Sequence, residues 1–218
     1  NAADACERLR YEAIAAPALL GDDPKSRIGI ALDADVKTLT IEDNGIGMSR
    51  DELVESLGTI ARSGTKAFME RLEASKGGES ATLIGQFGVG FYSAFMVAER
   101  VEVLSRRAGS DEAWRWSSEG KGTFSVAPVP AAEAPARGTR VVLHLMEDAK
   151  SYTEKFTVER IVRANSGHVP VPISITEKPG AEPAEVADGA ALWTRPRTEI
   201  KPEEYNDFYK SLSHNFDE

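Results

Sequence analysis

The chain has 218 residues, 41% hydrophobic and 28% charged, an ordinary globular composition whose length suits one well-cored domain plus a piece of another. Its formal net charge of −9 argues against nucleic acid as principal partner while leaving room for a local basic pocket. The single cysteine, Cys6, excludes an internal disulfide and fits a reducing, cytoplasmic compartment, and no apolar run approaches the ~20 residues of a membrane span.

Apolar residues at Ala2, Ala5, Cys6, Leu9 and Ala13 recur with a helical period. On the same helix Asn1, Asp4 and Arg8 form a polar stripe, within roughly a third of a turn of one another. Such a stripe is ordinarily a solvated face. A neutral amide oxygen such as that of Asn1 is also a hard ligand for a magnesium ion that keeps most of its water and touches phosphates. Pro17 and Gly21-Asp22-Asp23-Pro24 end the helix. Ile28, Ile30 and Leu32 then alternate, as do Leu39 and Ile41, predicting a hairpin about Asp33-Ala34-Asp35.

The second strand runs into Asp43-Asn44-Gly45-Ile46-Gly47-Met48, followed by Ser49-Arg50-Asp51-Glu52 with capping-box spacing. A carboxylate at the end of a buried strand can accept a proton from an exocyclic amine, and two glycines let backbone approach a flat ligand. Adenine offers an amine at that edge, whereas guanine offers a carbonyl. A plain strand-to-helix turn is the competing reading.

Leu53–Ile60 and Ala67–Ala74 read as helices around Arg62-Ser63-Gly64-Thr65. Arg62 can pair with a terminal phosphate, although a surface arginine is the commoner case. Gly85-Gln86-Phe87-Gly88-Val89-Gly90 precedes a helix predicted over Phe91–Ala98, an arrangement suited to an anion and to a hinged lid. Neither a Walker A loop nor a dinucleotide fingerprint fits, because Gly58 to Lys66 has the wrong spacing and Arg50 stands where the latter needs glycine.

Strands follow at Val101–Ser105, Trp114–Ser117, Phe124–Val126 and, after Gly138-Thr139, Arg140–Leu145. Thr139 can support the adenine edge through its hydroxyl, or be a simple strand residue. Trp114 and Trp116 share a strand face and read as packing. His144, His168 and His214 have no metal-ligand spacing and read as structural. A helix over about Thr153–Arg163, an extended run Val169–Ile175, and a Pro/Gly-rich stretch from Lys178 to Ala190 complete the pattern.

Taken in order, N-A-A-D-A (Asn1–Ala5), D-N-G-I-G-M (Asp43–Met48), L-G-T-I-A-R-S-G-T-K (Leu57–Lys66), I-G-Q-F-G-V-G-F-Y-S-A-F (Ile84–Phe95) and Gly138-Thr139 resemble one family. It is the ninety-kilodalton heat-shock chaperones of bacterial HtpG type, within the GHKL ATPase superfamily. Trp193–Ser211 resembles the opening of that family's middle domain. The resemblance implies an α+β two-layer sandwich, a mixed and largely antiparallel sheet covered on one face by helices, without the family's first strand and helix. It further implies an N-terminally incomplete ATP-binding domain over 1–177, a linker over 178–190 and the start of a middle domain over 191–218.

By the same resemblance Asn1 ligates magnesium, Asp43 binds adenine, Arg62 and Phe91 contact the nucleotide, and Gly85 to Gly90 belong to a mobile lid. The expected ATP- or ADP-binding set is Asn1, Asp4, Arg8, Asp43, Met48, Arg62, Gly88, Val89, Gly90, Phe91 and Thr139, with Asn1 the metal ligand. No catalytic residue is expected within the chain, since the family's general base is a glutamate four residues before the magnesium asparagine. The implied function is an ATP-dependent clamp acting on unfolded clients, homodimeric through a C-terminal domain, with no nucleic-acid or membrane partner. The alternatives are another GHKL ATPase, of sensor-kinase or topoisomerase type, and a nucleotide-gated interaction module without turnover. The lid run and Trp193–Ser211 argue against the first.

Overall fold

The computed structural model describes residues 1–58, 90–189, 198, 200 and 201. Helix α1 (Ala2–Ala15) buries Cys6, Leu9 and Ala13, and with them Asp4. A hairpin follows, β1 (Ile28–Asp33) and β2 (Thr38–Asp43), paired antiparallel from Ile28↔Asp43 to Asp33↔Thr38. Its turn is built by the Asp33 carboxylate, which accepts from the amides of Asp35 (3.0 Å) and Val36 (3.2 Å). Helix α2 (Arg50–Leu57) starts with both halves of the expected capping box: the Glu52 amide donates to Ser49 Oγ, and the Ser49 amide to Glu52.

The helix expected over Phe91–Ala98 is instead a 3₁₀ segment over Gly90–Met96, and Ala98 opens β3 (Ala98–Arg106). The Val97 amide closes a tight i→i−3 bond to Ala94, and Val97's own carbonyl receives the Met146 amide, so the chain leaves the turn already committed to the sheet. Then come β4 (Ala113–Ser118), β5 (Phe124–Val129), β6 (Gly138–Leu145), helix α3 (Lys155–Ser166), β7 (Ile173–Thr176) and β8 (Ala184–Ala187). Strand β8 lies within the stretch expected as a linker. There Val186 is buried in the core with Ile173 and Ile175, an apolar anchor that the surrounding prolines and glycines hide in the sequence.

The described strands form one sheet in the order β5-β4-β3-β6-β2-β1-β7-β8, antiparallel except for the β1–β7 pair. Register explains why the described helices lie against one face. Ile30, Ile41, Val141, Val103 and Trp116 align across five strands, and Leu32, Leu39, Leu143 and Val101 across four. These rows meet Cys6 of α1 with Val158 and Val162 of α3 at one end, and Leu53 and Leu57 of α2 at the other. On the opposite face the rows read Glu42–Arg140–Leu104–Arg115 and Thr38–His144–Arg100. Period-two alternation thus makes one face apolar and leaves the other largely polar. The α+β class with a mixed, largely antiparallel sheet stands as expected. No helix among the described residues is long and apolar enough to cross a membrane.

Candidate functional site

One row on the covered face departs from this pattern. Ile28, Asp43, Thr139, Ser105 and Trp114 are register partners on β1, β2, β6, β3 and β4. Asp43, Thr139 and Ser105 are all buried, so three polar side chains stand side by side where neighbouring rows are aliphatic. The Ser105 and Thr139 hydroxyls lie 2.8 Å apart, Ser105 Oγ also meets the Gly138 carbonyl at 3.0 Å, and the Met48 amide donates to Ser105 Oγ at 2.9 Å. Ser105 was not singled out in the sequence, but its signal is there: it ends the inward stripe Val101, Val103, Ser105 as that stripe's one polar member.

Asp43 closes β2, and its Oδ1 accepts the Gly45 amide at 2.9 Å. Burial raises its pKa to about 7, against the pull of amide hydrogen bonds from Gly45 and Thr139. A carboxyl poised in this way, with one oxygen tied down by the turn, suits a ligand that offers a hydrogen-bond donor. Asn44 beside it is fully engaged in structure. It accepts from the Arg27 amide at 2.9 Å and donates to the Lys25 carbonyl at 2.8 Å. Arg137 fixes the same turn from outside, donating to the carbonyls of Asn44 (2.8 Å), Asp23 (2.7 Å) and Leu20.

The glycines of this turn have a use within the fold itself. A Cβ on Gly45 would stand 2.7 Å from the Ala5 carbonyl oxygen, and one on Gly47 would collide with the Arg106 carbonyl. The loop is therefore sandwiched between the backbone of α1 and that of β3. The Ile46 amide donates to Ala5 (3.0 Å) and the Ala108 amide to Ile46 (2.8 Å). The glycines thus admit protein backbone on both sides of the turn.

Helix α1 lies alongside, and its three stripe residues have three different surroundings. Asn1 is exposed at the N-cap without a side-chain capping bond. Asp4 is buried. Arg8 pairs with Glu12 at 2.9 Å and with Glu52 at 3.4 Å. Cys6, under the turn, is a free thiol whose pKa is pushed up to about 12 by burial and by the nearby Asp43.

Met48 is half-buried against the α2 side of the core. Phe91, also half-buried, packs edge-on to Trp116 with ring centroids 5.5 Å apart, and Gly90 is exposed. Trp116 is buried and Trp114 packs partly against it, in line with a packing role. His144 bonds Glu102 at 2.8 Å on the open face of the sheet. Arg62, Gly88 and Val89, the rest of the lid run, and Trp193–Ser211 apart from residues 198, 200 and 201 lie outside the described residues.

Among the described residues no three His, Cys, Asp or Glu side chains group as a metal site. A magnesium ion that keeps most of its water would find one neutral amide group to bind here, that of Asn1, which is exposed.

The family profile described as histidine kinase-, DNA gyrase B-, and HSP90-like ATPase matches residues 20–153. The chain is 68% identical over its whole length to a protein of Nitrobacter winogradskyi named Chaperone protein HtpG, covering 34% of that protein. Proteins of the same name from Rhizobium meliloti (67%, covering 35%) and Rhodospirillum rubrum (52%, covering 34%) also match all of the chain. The chain thus spans about a third of the length of these curated relatives.

Proposed function

This chain belongs to the histidine kinase-, DNA gyrase B-, and HSP90-like ATPase family, and from that premise we propose that Asp43 and Thr139 form the adenine end of an ATP site in a protein-folding chaperone. The observation that carries the reading is the buried Asp43 carboxylate, held on one oxygen by the Gly45 amide. Its other oxygen is suited to the exocyclic amine of adenine, while the carbonyl of guanine would meet it acceptor to acceptor. Thr139, hydrogen-bonded to Ser105, keeps a second hydroxyl in the same row.

In this reading Asn1 supplies the one protein ligand to magnesium, which when bound neutralises phosphate charge. Asp4 and Arg8 order the nucleotide from α1, and Met48 lines the base. Arg62 pairs with the terminal phosphate, and Gly88, Val89, Gly90 and Phe91 close over it. Lid closure on ATP drives a clamp on unfolded client proteins, in a cytoplasmic homodimer. The relatives named as chaperones support that role. Residues 1–218 on their own bind ATP but turn it over slowly. Asp43, Glu12 and Glu52 are already engaged with the Gly45 amide, with two arginines and with the Ser49 amide, respectively, and are poorly placed to take a proton from water.

Competition between ADP and GDP tests the central claim. ADP binds and GDP competes at least tenfold more weakly, the order expected for one lost charge-assisted bond and one added repulsion. Equal affinity for the two nucleotides would remove Asp43 from the base-reading role.

A further inference from the structure

Four charged side chains from three segments meet beside the Asp43 turn. Arg8 and Glu12 come from α1, Glu52 from the first turn of α2, and Arg107 from the chain just after β3. Arg107 contacts Glu52 at 2.6 Å and Glu12 at 3.0 Å; Arg8 contacts Glu12 at 2.9 Å and Glu52 at 3.4 Å. Each side chain is less than a third exposed, so the pairing is shielded from solvent more than a surface ion pair. The two carboxylates share the two arginines, and the set is neutral.

The arginines differ in how firmly they are held. Arg107 is followed by Ala108, which is buried and whose amide donates to the Ile46 carbonyl at 2.8 Å. Its backbone is thereby fastened to the turn that carries Asp43. It is also the closer partner of Glu52, a carboxylate already fixed by the Ser49 amide. Arg8 reaches the carboxylates from the helix that carries Asn1 and Asp4, and its contact to Glu52 is the longest of the four.

We infer that Arg107 is a positioning residue for nucleotide binding: it holds Glu12 and Glu52 in place when Arg8 leaves them for a phosphate. This rests on the proposed role of Arg8 at the nucleotide. With Arg107 present, the departure of Arg8 leaves two carboxylates sharing one cation. Without it, the same movement leaves two half-buried like charges uncompensated, so Arg8 stays parked and phosphate binding weakens. Glu12 works in the opposite direction, since it restrains Arg8 without fixing the turn. The consequence is a pair of substitutions with opposite signs, which a general loosening of the fold does not produce.

The test measures binding of ADP, and of adenosine as a probe without phosphate, by titration to the protein as encoded. Arg107→Gln weakens ADP about two- to fivefold and Glu12→Gln tightens it by a similar factor, the range of partly exposed ion pairs. Arg107→Lys restores most of the loss, and adenosine binding is the same in all of them. In an Arg8→Met background both shifts vanish. Shifts of the same sign, shifts that appear equally with adenosine, or shifts that persist with Arg8→Met overturn the inference while leaving the phosphate role of Arg8 intact. If Arg8→Met alone leaves ADP affinity unchanged, that role falls and the inference with it. Thermal unfolding of each variant identifies any that do not fold, and should Arg107→Gln be one, Glu12→Gln with and without Arg8→Met decides the matter.

Discussion

Gly47 sits with its Cα against the backbone carbonyl of Arg106, at φ +66, where any Cβ would strike that oxygen. The contact joins the turn after β2 to the end of β3, and both the steric clash and the left-handed backbone oppose substitution. Gly47→Ala is expected to destabilise the chain by about 2–3 kcal/mol. Gly29 on β1 provides the contrast, with no atom within 4 Å of a built Cβ and no positive φ. Gly29→Ala stays within about 0.5 kcal/mol of the parent. Denaturant unfolding of the two variants checks both expectations. An equally mild effect at Gly47 would mean that the turn does not rest on β3.

The same glycine shows how far the sequence was legible. D-N-G-I-G marked a turn at the right place, and Asp43 falls at the strand end that the alternation of Leu39 and Ile41 predicts. The hairpin, the capping box and the inward stripes could be read because each is set by local chemistry with a fixed period. The use of Gly45 and Gly47 could not, because the backbones they admit come from α1 and β3, far away in the chain. For the same reason Arg107 and Arg137 gave no sign of themselves. An Arg-Arg pair before Ala108 or a single arginine before Gly138 has no pattern that names its partners, which are fixed only once distant segments meet. Strand β8 was hidden by Pro183 and Gly189, which flank a stretch of only four residues, Ala184–Ala187.

Magnesium dependence is expected to run through Asn1. In the proposed site its amide is a single ligand to a mostly hydrated ion, so Asn1→Ala is expected to reduce the extra affinity that magnesium gives to a triphosphate and to leave magnesium-free binding nearly unchanged. Titrations of ATP with and without magnesium, on parent and variant, measure this increment. The same increment in both would return Asn1 to a plain helix-capping position.

Asp43→Asn tests the base-reading contact directly. The substitution is close to isosteric, so the turn can keep its Gly45 bond through the amide oxygen. In the proposed site it removes a charge-assisted hydrogen bond worth about 1.5–3 kcal/mol, and ADP binding is expected to weaken roughly 10- to 150-fold. Calorimetry that finds the affinity unchanged, with a native unfolding curve, would show that adenine is read elsewhere.

The pH dependence follows from the same group and has a definite sign. The Asp43 pKa is raised in the folded chain from the ordinary 3.8 to about 7, so between these values the folded state holds a proton that the unfolded state has lost. The contribution of this group to stability is complete below about pH 4 and is given up as pH rises through about 7. Nucleotide binding has the opposite slope. The adenine amine favours the carboxylate, so binding draws Asp43 into its ionised form and releases a proton. Below pH 7 the affinity for ADP is expected to fall by up to about tenfold per unit, and above it to level off. Calorimetric titrations in two buffers of different ionisation enthalpy count the proton directly: close to one released at pH 6, close to none at pH 8. In Asp43→Asn the part of the slope and of the proton release that this carboxyl supplies disappears, and adenosine, which has no phosphate to titrate at about pH 6, isolates that part. A parent whose ADP affinity is flat from pH 6 to 8 would mean that the Asp43 carboxyl is ionised before the nucleotide arrives.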